Sequence, residues 1–300
     1  NKKTLKKIIE NESETKIIKN FLNTNEIKKL VEIEKNSKYL VDREDGRKRS
    51  LATKGNLVSR NNDSWHPEIK KILIPKLKKI FKKEQTHVAK NEFPPHFFYT
   101  KNPTRLHADT GRIKDSIVNK QILIPLKISP SNKPVRTIIF KNRWFGQASF
   151  FQYNKEDKVN KKYYITNNDK KFVEINDLKK FYNFIKNTKG VVDYDNNKFK
   201  IDTKFINKIK KILSIKRYNQ ITNLHLNKKK KFDKNLYKKY LTHQPIKDYY
   251  GLEVDVNYKW KLGDLLIWDR TRIHTSDNYL LNGAKKKMAL AIFFSIKDKT

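Results

Sequence analysis

The sequence predicts an α+β fold in which a core of β-strands is divided by a polar segment. Apolar residues recur at helical spacing in 1–92, whereas short runs rich in β-branched and aromatic residues fill 93–152 and 253–296. The segment 154–248 is rich in Lys, Asn and Tyr and is predicted to be an insertion with helices of its own. Because the two β-rich stretches share their pattern, we expect one core with 1–92 packed outside it, so that 1–300 forms a single domain.

Two amphipathic helices are predicted in the N-terminal support. The first begins at 24–26 and carries apolar residues at helical spacing up to Ile33. The second covers 69–81, where Pro75 either interrupts the helix or shifts its start. The polar stretch 43–62 between them is predicted to be a loop.

The β core is predicted from short apolar runs that are bounded by turn residues. The predicted strands are residues 97–99, 121–126, 136–140 and 288–295. A turn at 263–264 precedes a further buried run, because Gly-Asp commonly marks a chain reversal. Within the insertion, helical patterns lie at 178–185 and 205–215, and four consecutive lysines occupy 228–231.

The composition excludes several classes of protein. The chain has 300 residues, of which 37% are hydrophobic, and this is enough for a sizeable core. It contains no cysteine, which excludes disulfides, thiolate nucleophiles, cysteine-based zinc sites and iron–sulfur clusters and fits a reducing compartment. No apolar run has the length of a membrane span and no signal-peptide pattern is seen, so we expect a cytoplasmic protein without a membrane partner. The sequence carries no indication of the oligomeric state.

The charge is strongly positive, with 69 basic against 31 acidic residues and a formal net charge of +38. The expected partner is a small-molecule or anionic substrate, and because such a field attracts anions, the charge also allows a nucleic acid. Coding bias is the alternative explanation, because Lys, Asn and Ile are abundant while Arg, Gly and Ala are scarce. Bias of this kind would also raise Glu, however, and Glu has not kept pace with Lys.

The most informative motif is His107-Ala108-Asp109, in which an imidazole and a carboxylate are two residues apart. On an extended segment these two side chains point to the same side. His274, far downstream at the end of a turn and a buried run, joins them only through the fold. Two imidazoles and one carboxylate form the facial triad that non-haem Fe(II) oxygenases use. The alternative is that these are ordinary surface or core residues, since an isolated H-x-D motif is common.

These residues resemble the Fe(II)/2-oxoglutarate-dependent dioxygenase superfamily, nearest to its phytanoyl-CoA dioxygenase-like and prolyl-hydroxylase-like branches. The resemblance rests on the H-x-D motif, the G-D-x-x-x-x-D-x-x-x-x-H segment at 263–274 and the basic residues that follow, and it covers 93–150 and 253–296. It implies a double-stranded β-helix, which is a jelly roll related to cupins, as the core of the fold. It also implies Fe(II) as the metal, the His-Asp-His group as its catalytic ligands, and 2-oxoglutarate as cosubstrate.

The resemblance further implies a basic side chain that binds the distal carboxylate of 2-oxoglutarate. The family usually has Arg at this place, whereas this chain offers only lysines, which act as point charges. Strand alternation places Lys285, Lys287, Ala289 and Ala291 on one face, and the small alanines leave room for a ligand. We therefore predict Lys287 in this role and Lys285 as the second choice; the alternative is that these lysines are solvated turn residues.

Two further residues are candidates for the cosubstrate site. Arg272 shares a strand face with His274, which makes it a rival carboxylate partner or a substrate contact. Tyr99 precedes the H-x-D motif on an extended segment, where the family has a Tyr that hydrogen-bonds the cosubstrate. For Tyr99 the alternative is an ordinary aromatic core residue.

Three functions follow from these patterns. The first is an Fe(II)- and 2-oxoglutarate-dependent oxygenase, an oxidoreductase that hydroxylates a substrate the sequence does not name, with 1–300 as its catalytic domain. The second is a non-catalytic, basic nucleic-acid-binding protein on a jelly-roll scaffold, which would not need the triad. The third is a cupin-like isomerase or metal hydrolase, for which a further His or carboxylate ligand would be expected.

Overall fold

The described part of the chain consists mostly of antiparallel β-sheets with few helices. The computed structural model describes residues 13–36, 39–42, 47–51, 66–81, 95–109, 112–113, 116–143, 149–153, 163–165, 170–171 and 231–297. The helical patterns at 178–185 and 205–215 and most of the lysine run at 228–231 lie outside the described residues. No helix in the described ranges is long and apolar enough to cross a membrane.

Both helices of the N-terminal support form as the sequence predicts. Helix α1 (Thr24–Lys35) begins with a capping box, because the Asn23 side chain accepts from the Glu26 N–H and the Glu26 carboxylate accepts from the Asn23 N–H. Helix α2 (Pro67–Ile80) starts two residues earlier than predicted, with a proline at its first turn. It continues through Pro75, which neither ends the helix nor sets its start.

The described residues of 1–92 are less helical than predicted. They also contain β1 (Lys16–Ile18), β2 (Tyr39–Asp42) and β3 (Arg47–Leu51), and β3 lies inside the stretch 43–62 that was predicted to be a loop. These strands pair with the core far along the chain, β1 with β13 and β3 with β4. The prediction is wrong here because a short polar strand owes its structure to the ladder beside it and carries little local pattern.

The predicted core strands are confirmed, with longer bounds. The remaining strands are β4 (His96–Thr100), β5 (His107–Ala108), β6 (Arg112–Ile113), β7 (Ser116–Ser129), β8 (Arg136–Arg143), β9 (Ser149–Tyr153), β10 (Tyr163–Ile165), β11 (Lys170–Lys171), β12 (Val254–Lys259), β13 (Leu265–Asp269), β14 (Arg272–Ser276) and β15 (Lys286–Lys297). Before β12 the chain forms a short helical turn, Lys234–Leu236, which continues as a π-helical turn, Tyr237–Leu241, and is followed by a 3₁₀ turn, Ile246–Tyr249.

The strands form two sheets in which early and late parts of the chain alternate. Within the described ranges the first sheet has the order β1-β13-β7-β15-β4-β3-β2, with β6 paired to β7. The second sheet has the order β11-β10-β9-β5-β14-β8-β12. Each of the long strands β7 and β8 therefore lies between two strands that come from beyond residue 253.

Two apolar clusters hold these layers together. The first lies between the first sheet and the two helices, and it includes Leu30, Leu73, Leu77, Ile122, Leu290 and Phe294. The second lies between the two sheets and contains residues of both, among them Leu123, Ile139, Tyr258, Leu266, Trp268, Ala289 and Ala291. Alternate residues of β15 belong to different clusters, as expected for a strand that is buried on both faces.

The turn before β13 fixes how the N-terminal segment meets the sheet. Gly263 has φ +81°, and a Cβ at this position would lie 2.6 Å from the carbonyl oxygen of Leu22. The neighbouring Asp264 carboxylate accepts from the Asn20 N–H at 2.8 Å and from the Tyr258 hydroxyl at 3.0 Å. The predicted turn at 263–264 is therefore confirmed, and its glycine is required by both backbone conformation and space.

Candidate metal centre

The fold brings His107, Asp109 and His274 together. His107 on β5 lies directly opposite His274 on β14 in an antiparallel pair, and the two imidazole rings have centroids 4.2 Å apart. Asp109 follows β5 by one residue and is on the same side as His107. The convergence thus depends on one antiparallel register between strands that are distant in the sequence.

The distances between the three side chains suit a metal ion. The His274 Nε2 atom is 3.0 Å from one Asp109 oxygen, and the His107 Nε2 atom is 3.7 Å from the other. One ligand atom from each residue lies within 4.8 Å of the other two. Ligands that bind a metal at about 2.0–2.2 Å and at right angles are about 3 Å apart, which is close to the two His–Asp distances. These three residues could hold a metal ion.

Both histidines are oriented by backbone carbonyls through their Nδ1 atoms. The His107 Nδ1 is 2.6 Å from the Arg105 oxygen, and the His274 Nδ1 is 3.0 Å from the Arg272 oxygen. In neutral imidazoles these contacts assign the proton to Nδ1, which donates to the carbonyl. Each Nε2 atom then presents a lone pair toward Asp109, and this is the arrangement that orients metal-binding histidines in proteins.

The Asp109 carboxylate fits a bound cation. Burial raises the pKa of this carboxyl, but the neighbouring His274 and His107 imidazoles and a hydrogen bond from Gln121 lower the pKa well below its usual range. Its Oδ2 atom is buried and has no hydrogen-bond partner in the described part of the chain, although the His274 Nε2 is close. Two facing acceptors at this distance need a cation or a proton between them, and a divalent metal satisfies all three side chains at once.

The surroundings of the three residues are apolar on one side and polar on the other. The fully buried Trp268 presents an edge-on contact to His274, with ring centroids 5.1 Å apart. Gln121, on β7 opposite Trp268 in the register, hydrogen-bonds Asp109. The first sheet therefore contributes a wall that shields the His274 ring and a side-chain amide that holds the carboxylate.

Of the predicted basic residues, the structure buries Lys287 between the sheets. Lys287 is 4% exposed and belongs to the face of β15 that carries Ala289. Its ammonium lies over the rings of Trp260 and Tyr279, 4.7 and 5.1 Å from their centroids. Burial lowers the pKa of Lys287 to about 8, whereas Asp277 acts in the opposite direction. The described residues give this ammonium aromatic faces but no carboxylate within ion-pair distance.

The other three candidates have different surroundings. Lys285 is exposed, and its N–H donates to the Ser129 oxygen at 2.7 Å, as in a turn. Arg272 is buried, and its guanidinium forms an ion pair with Asp255 at 2.7 Å. Tyr99 packs against the first apolar cluster and so lies with the helix-facing side of the sheet. The structure therefore brings Lys287, but not Tyr99, to the space between the sheets.

Three polar residues near the centre have no motif that would have singled them out. Gln121 was visible only as the polar residue that opens an apolar run. Gln244, in the segment before β12, is buried; its side-chain oxygen accepts from the Leu106 N–H at 2.5 Å, and its amide donates to Asp248 at 3.0 Å. Asp277, just after β14, is fully buried. The local sequence around Gln244 and Asp277 carries no signal of these contacts.

No family model and no curated protein matches the chain. Similar solved structures include the non-heme alpha ketoglutarate dependent epimerase SnoN from nogalamycin biosynthesis, with 7% identity, a TM-score of 0.41, and coverage of 98% of this chain and 84% of that chain. The non-heme alpha ketoglutarate dependent carbocyclase SnoK from the same biosynthesis has 10% identity and a TM-score of 0.40, and the match covers 98% of this chain and 84% of that chain. HygX from Streptomyces hygroscopicus, solved with nickel, 2-oxoglutarate and hygromycin B, has 8% identity and a TM-score of 0.34, and the match covers 98% of this chain and 87% of that chain. Likenesses at this level do not assign a family to this chain.

Proposed function

We propose that this protein is an Fe(II)- and 2-oxoglutarate-dependent oxygenase whose metal ligands are His107, Asp109 and His274. The observation that carries the proposal is the convergence of two Nδ1-anchored imidazoles on a half-buried carboxylate, whose buried Oδ2 atom lacks a hydrogen-bond partner among the described residues. Two imidazoles and one carboxylate are the ligand set of non-haem iron oxygenases, and they leave the opposite positions of the metal open. No further His or carboxylate joins this group among the described residues, which argues against a four-ligand site.

The strand order supports a jelly-roll core for this enzyme. Eight strands form two four-stranded arrays, β13-β7-β15-β4 and β5-β14-β8-β12. The chain passes between the arrays from β4 to β5, from β7 to β8 and at each step from β12 to β15. Winding of this kind is typical of the double-stranded β-helix, a jelly roll of the cupin type. We accordingly propose 1–300 as one catalytic domain, with 154–248 as an insertion in its sequence.

Lys287 is our proposed partner for the distal carboxylate of 2-oxoglutarate. An ammonium in apolar surroundings is unfavourable unless an anion approaches it. In the described part of the chain the Lys287 ammonium lies over two aromatic rings, and the Asp277 charge stabilises it in part. Arg272 is less suited, because its guanidinium already pairs with Asp255. Lys285 is less suited because it is exposed.

In this proposal the protein residues bind the metal and the cosubstrate, orient the metal ligands and shield the site from water. Bound iron and 2-oxoglutarate would supply the oxidising chemistry that hydroxylates a C–H bond of the substrate. The carbonyls of Arg105 and Arg272 hold the two imidazoles in one tautomer, and Gln121 holds the carboxylate. Trp268 keeps water from one side of the His274 ring. The net charge of +38 suits an anionic substrate, and a cytoplasmic location is proposed from the absence of cysteine.

The proposal is tested by anaerobic titration of the purified protein with Fe(II) and then 2-oxoglutarate. We expect the weak visible charge-transfer band of the iron–keto acid chelate, and iron-dependent turnover of 2-oxoglutarate once oxygen is admitted. His107→Ala and His274→Ala should abolish metal binding and turnover, and Asp109→Ala should do so nearly as fully, because it removes the anionic ligand. His66→Asn is the matched control: it removes an imidazole but keeps a residue that caps α2 well.

Two results would count against this function. Metal binding that survives in both His→Ala variants would show that these residues are not the ligands. A metal-loaded protein that neither forms the chelate band nor consumes 2-oxoglutarate would favour the non-catalytic alternative. That alternative predicts instead a steep salt dependence of nucleic-acid binding that is unchanged by all three substitutions.

A further inference from the structure

A fully buried carboxylate, that of Asp277, interacts electrostatically with Lys287 at the proposed cosubstrate site. Asp277 follows β14 directly and is fully buried. One of its oxygens accepts from the Arg136 N–H at 2.8 Å. The other oxygen, Oδ2, is buried and has no hydrogen-bond partner in the part of the chain that the structure describes. Lys287 is the charged side chain that most strongly stabilises the Asp277 carboxylate, and Asp277 is the group that stabilises the Lys287 ammonium.

Among the other groups around Asp277, the Arg136 charge acts on it less strongly than the Lys287 charge does. The Arg136 guanidinium is turned to the rim, where it donates to Asn257 at 3.2 Å and lies over the Tyr240 ring at 4.7 Å. The Tyr279 hydroxyl is hydrogen-bonded with Thr100 at 3.2 Å, and burial raises its pKa, so it stays neutral.

The nearby histidine is also uncharged. Burial lowers the pKa of His243 to about 4, and the Lys287 and Arg105 charges act in the same direction against a hydrogen bond to the Thr104 backbone. Its Nε2 atom lies 3.3 Å from the Thr275 hydroxyl. The charges that face each other in this buried space are therefore those of Asp277 and Lys287.

Charge balance decides what happens when a carboxylate ligand enters this space. With Lys287 and Asp277 both ionised, the pair is neutral, and an added carboxylate leaves one uncompensated negative charge. A buried charge without a partner is strongly unfavourable, and a proton is the simplest means of removing it. If Asp277 accepts that proton, Oδ2 becomes a hydroxyl donor and its missing hydrogen-bond partner is supplied by the ligand.

We propose that Asp277 takes up one proton when 2-oxoglutarate binds and donates it as a hydrogen bond to the distal carboxylate beside Lys287. Cosubstrate binding is then coupled to proton uptake. The inference rests on the proposed function, because it assumes that 2-oxoglutarate is the ligand whose distal end reaches Lys287. The proposal adds to that function a residue that responds to the second carboxylate of the ligand. Keto acids without a second carboxylate are then expected to bind without proton uptake.

The direction of the pH dependence follows from the unliganded site. Burial raises the pKa of Asp277 to about 6, while Lys287 and Arg136 oppose this change. Above that pH the free site lacks the proton that the bound site holds, so the dissociation constant rises about tenfold per pH unit. Lys287 remains largely protonated up to its pKa of about 8, which sets the upper end of this window.

The test is calorimetric titration of the anaerobic, Fe(II)-loaded protein with 2-oxoglutarate at pH 7.0, in buffers of different ionisation enthalpy. We expect uptake of about 0.9 proton, since a group with a pKa of about 6 is mostly deprotonated at this pH. Pyruvate is the control ligand, because it has the same keto acid end without the distal carboxylate. It should bind with almost no proton uptake.

Asp277→Asn provides the matched variant, because it presents a permanent neutral donor of the same shape. Proton uptake should fall below about a third of a proton, and the dissociation constant for 2-oxoglutarate should lose its dependence between pH 6.5 and 7.5. Asp264→Asn is the control for replacing a buried aspartate elsewhere, since both oxygens of Asp264 have partners. It should take up protons as the wild type does.

The outcomes separate this inference from the proposed function. Binding of 2-oxoglutarate without proton uptake, or equal uptake with pyruvate, would overturn the role of Asp277 and leave the oxygenase function standing. Failure of 2-oxoglutarate to bind the metal-loaded protein at any pH would overturn both. The comparison of the two ligands on the wild-type protein decides the question even if Asp277→Asn does not fold.

Discussion

Replacing Lys287 by Met is expected to stabilise the protein and, at the same time, to weaken its binding of 2-oxoglutarate. The ammonium is buried over Trp260 and Tyr279, and burial lowers its pKa from 10.5 to about 8 against the opposing effect of Asp277. The folded state therefore disfavours the charged form by about 3 kcal/mol. The Met variant has no ammonium, so its folded state avoids this unfavourable free energy. The same variant lacks the group proposed to contact the distal carboxylate of 2-oxoglutarate, so its affinity for 2-oxoglutarate should fall.

The size of the two effects follows from the same contacts. Methionine has the unbranched shape of the lysine stem and makes favourable contacts with aromatic rings. Loss of the cation–π contacts offsets up to about 2 kcal/mol, so the free energy of unfolding at pH 7 should rise by about 1 kcal/mol. This corresponds to an increase in Tm of about 2–4 °C. A lost charge-assisted hydrogen bond costs about 1.5–3 kcal/mol, so the KM for 2-oxoglutarate should rise about tenfold to a hundredfold.

The pH dependence of stability provides a separate check. A lysine whose pKa is lowered on folding contributes stability that is present above its unfolded value and lost as the pH falls through its folded value. For Lys287 these values are 10.5 and about 8, so the advantage of the Met variant should be full at pH 7 and shrink toward pH 10. Urea denaturation at pH 7.0 and 9.5 measures this difference directly.

Lys286→Met is the matched control for this experiment. Lys286 is the neighbour that alternates to the other face of β15 and is partly exposed, so neither stability nor KM should change appreciably. The reasoning is refuted if the Lys287→Met variant is less stable than the wild type at pH 7. An unchanged KM in that variant, with a large change in Lys285→Met or Arg272→Ala, would move the carboxylate contact to the residue affected.

Three further perturbations test how the site and its frame are held. Gln244→Ala should weaken metal binding about tenfold to a hundredfold in an otherwise folded protein, because it removes the acceptor for the backbone N–H just before the first metal ligand. Titration with Mn(II) measures the affinity. Gln244→Glu keeps the acceptor oxygen and should recover part of the lost affinity. Gly263→Ala should lower the free energy of unfolding by more than about 1 kcal/mol in chemical denaturation, since φ is +81° and the new Cβ would clash with the Leu22 carbonyl oxygen. An unchanged free energy of unfolding would contradict this turn geometry. Lys120→Met should cost about 3–5 kcal/mol in chemical denaturation, because it removes the Lys120 ammonium from its ion pair with the buried Asp269 carboxylate, whereas adding Asp269→Leu should restore much of that loss.

The sequence indicated the elements of the core better than those of its edges. The run 121–126 and the last strand, β15, are apolar enough to be recognised without knowledge of their neighbours. β2 and β3 were not recognised, because they are short, and their strand structure comes from pairing along the edge at β4. The helix α2 was recognised from its periodicity, and its continuation through Pro75 was not, since proline ordinarily ends a helix.

For the site, the sequence by itself determined which residue types were available and on which strand faces they lie. The spacing of His107 and Asp109 and the alternation that puts Lys287 with Ala289 are local properties of an extended chain. Only the tertiary structure decided that His274 lies opposite His107, that Arg272 pairs with Asp255, and that Lys285 is exposed. These facts depend on a register between strands that are far apart in the chain and on the burial that follows from it. A local pattern cannot specify either of them, because pairing partners and desolvation are set by the whole fold.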